Sequence, residues 1–143
     1  MKGMVSSAHD LISQTGKKIL SLGGNAIDAS IAMALSAGVV LPDMCGLGGD
    51  AFLLYYDHQK DKVYAINGSG QIPKNYDLNT PIQKRGMTSV TVPGLVDVLF
   101  TIQNKWGIRP FNQLSQDAID YARNGIYVPS KVERHMHTDL KDL

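Results

Sequence analysis

The chain has 143 residues, 43% hydrophobic and 19% charged, a composition that fits one globular domain with an ordinary core and not a disordered segment. Lys+Arg 14 against Asp+Glu 13 leaves a net charge of +1 without any block of like charges, which argues against a nucleic-acid or membrane-surface partner. No apolar run approaches the roughly 20 residues of a bilayer span, Met1–His9 lacks a signal-peptide core, and the single Cys45 rules out an internal disulfide, so the chain reads as soluble and cytoplasmic.

Leu11, Ile12, Ile19, Leu20 and Leu22 recur close to one helical face and Gly23-Gly24 follows as a stop, predicting a helix over 9–22. Asn25 then caps a second helix, about 25–40, with Asp28 three positions on in a box-like arrangement that places a carboxylate in the positive first turn. Ala26, Ala29, Ala32 and Ser36 make that helix small nearly all round, while Ile27, Ile31 and Leu35 supply bulk. It is expected to be central, buried and packed against a sheet.

Gly46-Leu47-Gly48-Gly49 runs into Ala51–Tyr56, a permissive turn beside the short apolar run of a buried strand. Ala51–Asp57 and Lys62–Asn67, joined by His58–Asp61, predict an antiparallel hairpin. Gly68-Ser69-Gly70 ends it, and the Pro- and Asn-punctuated stretch 71–85 is expected to be an irregular surface excursion. Met87–Val92 is predicted as a short third strand, turned by Pro93-Gly94 into a helix with Leu95, Leu99, Ile102 and Trp106 on one face. Leu114, Ala118 and Ala122 mark a further helix stopped by Gly125, and Ser130-Lys131-Val132-Glu133 matches a capping box opening a last one.

The residues alone offer no complete catalytic set. Gly46, Gly48 and Gly49 have neither nucleotide-loop spacing nor the strand, loop, helix order. His135, His137 and Asp139 fall short of a convergent metal site, because i and i+2 diverge on a helix and further ligands are lacking. Cys45 reads as a small hydrophobe with no base placed beside it by the sequence, whether His9 or His58, and Gly68-Ser69-Gly70 is not a nucleophile elbow. On this footing the fold is α/β or α+β, with glycine turns at strand ends.

Taken in order, Gly23-Gly24-Asn25-Ala26-Ile27-Asp28-Ala29, Gly46-Leu47-Gly48-Gly49 and Ser89-Val90-Thr91-Val92-Pro93-Gly94 resemble the N-terminal part of the γ-glutamyltransferase (γ-glutamyltranspeptidase, glutathione hydrolase) family. The likeness runs from about Gly3 to at least Gly125. It implies an α+β N-terminal-nucleophile hydrolase, an αββα sandwich made as a precursor that cuts itself into a large and a small segment. The implied nucleophile is a threonine at the new N-terminus of the small segment, its own amine serving as base. It attacks a γ-glutamyl amide, as in glutathione, without metal or organic cofactor. Members of the family are several times longer than this chain, so residues 1–143 are expected to be a single partial domain that is inactive alone. Its implied partners are the small-molecule amide and the remainder of the large and small segments. The resemblance also leaves export open.

Departures from the family pattern bear on substrate. Typical members carry Arg-Glu-x-Ala-Pro after the second strand, the arginine holding the substrate α-carboxylate; here Ser69-Gly70-Gln71-Ile72-Pro73 stands there, with Ser69 at the arginine's place. A bidentate guanidinium contact is replaced by one modest hydroxyl bond. Asp50 stands where glycine usually continues the loop, either as a turn residue bonding backbone N–H groups or as a carboxylate on the pocket floor. Ser69, Gln71 and Asp50 are thus the candidate substrate-binding residues, with no catalytic residue in the chain. Gly-Gly-Asp with Asn-Gly-Ser-Gly resembles the divergent γ-glutamyltransferase-like branch, which includes acylases and amidohydrolases of other amides. A noncatalytic remnant serving as an interaction module is the rival expectation.

Overall fold

The computed structural model describes residues 3–140, with side chains placed through Thr138. Contacts divide the chain into two compact units, residues 1–46 with 101–143 and residues 47–100.

In the first unit, helix α1 (Asp10–Ser21) opens where His9 Nδ1 accepts the Leu11 N–H at 3.1 Å. It stops at the double glycine: Gly23 has φ +85° and a Cβ on Gly24 would meet Ile19 Cγ2 at 2.6 Å, so neither position suits another residue. Helix α2 (Ala26–Val40) begins with the expected box, the Asp28 N–H donating to Asn25 Oδ1 and the Asn25 N–H to Asp28 Oδ2, both at 2.9 Å. Ile27, Ile31, Ala32 and Val40 are buried. Within this unit α2 packs against helices: α1, a single turn α4 (Phe111–Leu114) and α5 (Gln116–Asn124). Buried Ala29, Ala32 and Ser36 leave room for neighbours on several sides.

The helix expected around Leu114–Ala122 is broken at Ser115 into α4 and α5, and Leu114 is fully buried at the break. Gly125, at φ +77°, closes α5. Helix α6 (Ser130–Leu140) starts one residue earlier than a Ser130 cap would place it: the Glu133 N–H bonds the Pro129 carbonyl at 3.0 Å, so Ser130 already lies in the first turn. Lys18 Nζ on α1 pairs with Asp117 Oδ1 on α5, and that hydrogen bond holds the ammonium pKa above its ordinary value. Among the described residues no helix is long and apolar enough to cross a membrane.

In the second unit, strands β1 (Ala51–Asp57) and β2 (Lys62–Gly68) form an antiparallel two-stranded sheet running in register from Ala51↔Gly68 to Asp57↔Lys62. The turn is held by the Lys60 N–H on the Asp57 carbonyl at 3.2 Å and closed by Asp61 at φ +47°, a conformation Asp tolerates. The apolar run predicted a strand buried on both faces. Instead side chains alternate, and Phe52, Leu54, Tyr56 and Val63 share one exposed face.

The stretch 71–85 is irregular, as expected. The third strand predicted over Met87–Val92 is not a ladder: Met87–Ser89 make one 3-10 turn, and the extended segment after it shows one backbone bond to the hairpin's end, Val92 N–H to the Gln71 carbonyl at 3.0 Å. Thr and Val propensity favours extended backbone, but a strand also needs a partner edge. Helix α3 (Leu95–Trp106) follows Pro93-Gly94 with Leu95, Val98, Leu99 and Ile102 buried, and the division between the units falls within it.

Candidate functional site

The candidate substrate-binding residues all lie in the second unit, where three glycine-bearing segments converge. The Gly49 carbonyl accepts the N–H groups of Gly94 and Leu95 at 3.1 and 2.9 Å, so the glycine loop docks on the first turn of α3. A Cβ on Gly94 would lie 2.1 Å from the Gly68 carbonyl oxygen, and one on Gly68 would lie 2.1 Å from Val98 Cγ2. A Cβ on Gly70 would meet Thr91 Oγ1 and the Val92 carbonyl oxygen at 2.3 Å each. No substituted residue fits those contacts without moving backbone.

This corrects where the glycine requirement sits. Gly46 and Gly48 have open space around a hypothetical Cβ and no positive φ, so neither is demanded by packing among the described residues. Gly49 contributes its carbonyl. Around this turn the sterically required glycines are Gly68, Gly70 and Gly94, which read in sequence as turn punctuation because the groups that crowd them lie far away along the chain.

Asp50 and the turn after β2 are brought together. Asp50 Oδ1 accepts the Gly70 N–H at 2.8 Å, the Ser69 N–H donates to Asn67 Oδ1 at 2.9 Å, and the Gln71 carbonyl receives the Val92 N–H. Asp50, Ser69 and Gln71 are exposed, and Gly70 between the last two is half-buried. Asp50 is the sole ionisable side chain within 46–50, 67–71 and 91–94. The arrangement therefore offers a hydroxyl, a carboxamide and one carboxylate. It contains no cation to take a substrate carboxylate.

The other candidates are placed elsewhere. His9 caps α1, and the His58 ring lies 6.2 Å from that of Tyr56 on the hairpin. Cys45 is exposed, its N–H on the Leu41 carbonyl at 2.8 Å. His135 Nδ1 lies 2.7 Å from Asp43 Oδ2, an interaction with a nearly buried carboxylate that the sequence did not signal. His137 faces Glu133 at 3.9 Å, and the Asp139 side chain is outside the described residues. Among the described residues no three His, Cys, Asp or Glu side chains are grouped to hold a metal.

Residues 12–143 match the sequence profile described as Gamma-glutamyltranspeptidase. The chain belongs to the gamma-glutamyltranspeptidase family. A family relative, the glutathione hydrolase-like YwrD proenzyme of Bacillus subtilis, is 39% identical over 146 residues, covering 98% of this chain but 28% of that protein. The family fold is shared as well: the crystal structure of Helicobacter pylori gamma-glutamyltranspeptidase superposes with TM-score 0.83 at 30% identity, over 88% of this chain and 39% of that one. Cephalosporin acylase from Bacillus halodurans gives TM-score 0.77 at 34% identity, over 87% of this chain and 24% of that one. This chain thus spans about a quarter of the curated relative, and its mixed helices and small sheet are part of the family's α+β N-terminal-nucleophile hydrolase fold.

Proposed function

We propose that the chain is the N-terminal portion, a single partial domain, of the large segment of a self-processing amide hydrolase or acyltransferase. The reading is carried by the family match, which runs through every element from α1 to the end of the chain. The nucleophile lies outside these residues: a threonine freed as an N-terminus by self-cleavage attacks the amide carbonyl, its own amine taking the hydroxyl proton. The amine leaving group departs with a proton, and water or an acceptor amine then releases the acyl group. No step in that sequence calls on a metal or organic cofactor.

For the acyl donor, γ-glutamyl amides of the glutathione type are the first reading, following the family. A second is favoured by the turn itself. With Ser69 in place of a cation and the Asp50 carboxylate accepting the adjacent Gly70 N–H, the turn suits amides whose acyl group carries no α-carboxylate. Cephalosporin acylase among the structural relatives is consistent with that choice.

The test compares the 143-residue chain with the same chain joined to the catalytic remainder found in longer relatives, using γ-glutamyl and uncharged acyl p-nitroanilides. The chain alone is expected to be inactive and the extended protein active, preferring the uncharged donors; Ser69→Arg should lower KM for the γ-glutamyl donor about tenfold, the value of one charged bond. An extended protein that self-cleaves nowhere and hydrolyses nothing would favour the noncatalytic module. Robust γ-glutamyl turnover insensitive to Ser69→Arg would remove the second reading.

A further inference from the structure

The segment 69–71 is short, mostly exposed and without regular secondary structure, yet a backbone group of each of its residues is hydrogen-bonded. The Ser69 N–H donates to the Asn67 side chain two residues back and the Gln71 carbonyl accepts the Val92 N–H, whereas the Gly70 N–H donates to a side chain twenty residues away. We infer that Asp50 is a positioning residue: its carboxylate fixes the Gly70 amide and so sets how Ser69 and Gln71 face the acyl donor, which is recognised through its own hydrogen-bond donors and not through a carboxylate. The inference rests on the amide-hydrolase reading above.

Several features converge on it. Asp50 is the residue just before β1, so its backbone is anchored by the Ala51↔Gly68 end of the ladder and by Gly49, whose carbonyl is bound to α3. The Asp50 Cα is thereby held in place beside the turn that follows β2. Gly70 also packs closely on the extended segment: a Cβ there would meet Thr91 Oγ1 and the Val92 carbonyl oxygen at 2.3 Å, so no side chain is tolerated. The Gly70 amide is thus bonded to the Asp50 carboxylate while its Cα side packs on Thr91 and Val92. Among the described residues Asp50 Oδ2 has no partner of its own, and Asp50 is exposed, which leaves an uncompensated negative charge beside the turn that carries Ser69 and Gln71. The same oxygen repels a carboxylate, and no cation in the three segments offsets that repulsion.

Two variants separate geometry from charge. Asp50→Ala removes the acceptor; Asp50→Asn keeps an Oδ1 acceptor and removes the charge. In the chain itself, Asp50→Ala should speed Gly70 amide hydrogen exchange about tenfold, equivalent to losing one hydrogen bond to a charged group, with the thermal midpoint little changed because the site is exposed. Asp50→Asn should restore most of the protection. In the extended enzyme, Asp50→Ala should raise KM for an uncharged, hydroxyl-bearing acyl p-nitroanilide about tenfold with kcat largely preserved. Asp50→Asn should bring KM back towards wild type while improving the γ-glutamyl donor. Unchanged Gly70 exchange in Asp50→Ala would overturn the positioning role, and so would an unchanged KM. An extended protein inactive on every anilide would defeat the amide-hydrolase reading instead, and the exchange measurement would still decide on Asp50.

Discussion

Asp28 shows how one side chain can serve two purposes on different length scales. Locally it completes the Asn25 capping box, the part legible in Gly-Gly-Asn-Ala-Ile-Asp because a box lies within one helical turn. Its other oxygen, Oδ1, accepts the Ile108 and Arg109 N–H groups at 3.0 and 3.2 Å, and Asn25 Nδ2 donates to the Trp106 carbonyl. The cap of α2 thereby fastens the segment that follows α3. Those bonds span some eighty residues of chain, and no periodicity announces them. Asp28 is fully buried, so Asp28→Ala strands three amides without an acceptor and should lower unfolding free energy by about 3 kcal/mol, while Asp28→Asn loses less. Urea unfolding of the two variants checks this; a loss below about 1 kcal/mol in the alanine variant would contradict the shared-acceptor account.

At the level of elements, helix and strand limits were readable where glycine or a cap punctuates them, and were lost where only propensity spoke. Gly23-Gly24 ends α1 and Gly125 ends α5 for stated backbone reasons. Met87–Val92 has the β-favouring composition but lacks the ladder, and Ser130 resembles a cap but sits inside its helix. Between elements, the Lys18–Asp117 pair joins α1 to α5 and raises the Lys18 pKa from 10.5, chiefly through its hydrogen bond to Asp117. In the hairpin, the Tyr56 hydroxyl donates to Asp61 and its pKa rises from 10.0 for that reason first. Both folded values lie above the unfolded ones, so both contributions are complete below those unfolded values and fade as pH climbs through the folded ones. Thermal midpoints should therefore decline in the alkaline range, above about pH 10. Lys18 is half exposed and its share is correspondingly small. Asp117→Asn should flatten that share of the decline; an unaltered profile would show that the pair adds nothing.

Across the whole molecule the most telling surface is the hairpin face on which Phe52 is 70% and Leu54 79% exposed. A contiguous apolar face of this kind marks a place for other protein surface. The chain spans 28% of the length of the Bacillus subtilis relative. In isolation it is expected to self-associate, and Leu54→Lys should shift it toward monomer in sedimentation-velocity runs without lowering the thermal midpoint. A monomeric wild type at high concentration would refute that. The sequence by itself determined the Asn25 cap, the glycine stops of α1 and α5, the hairpin and the family, because these depend on neighbours within a few positions or on ordered motifs. Only the tertiary structure decided which glycines are sterically required and that Asp50 holds Gly70. Both depend on backbone segments brought within van der Waals reach from far along the chain, a proximity that local spacing does not encode.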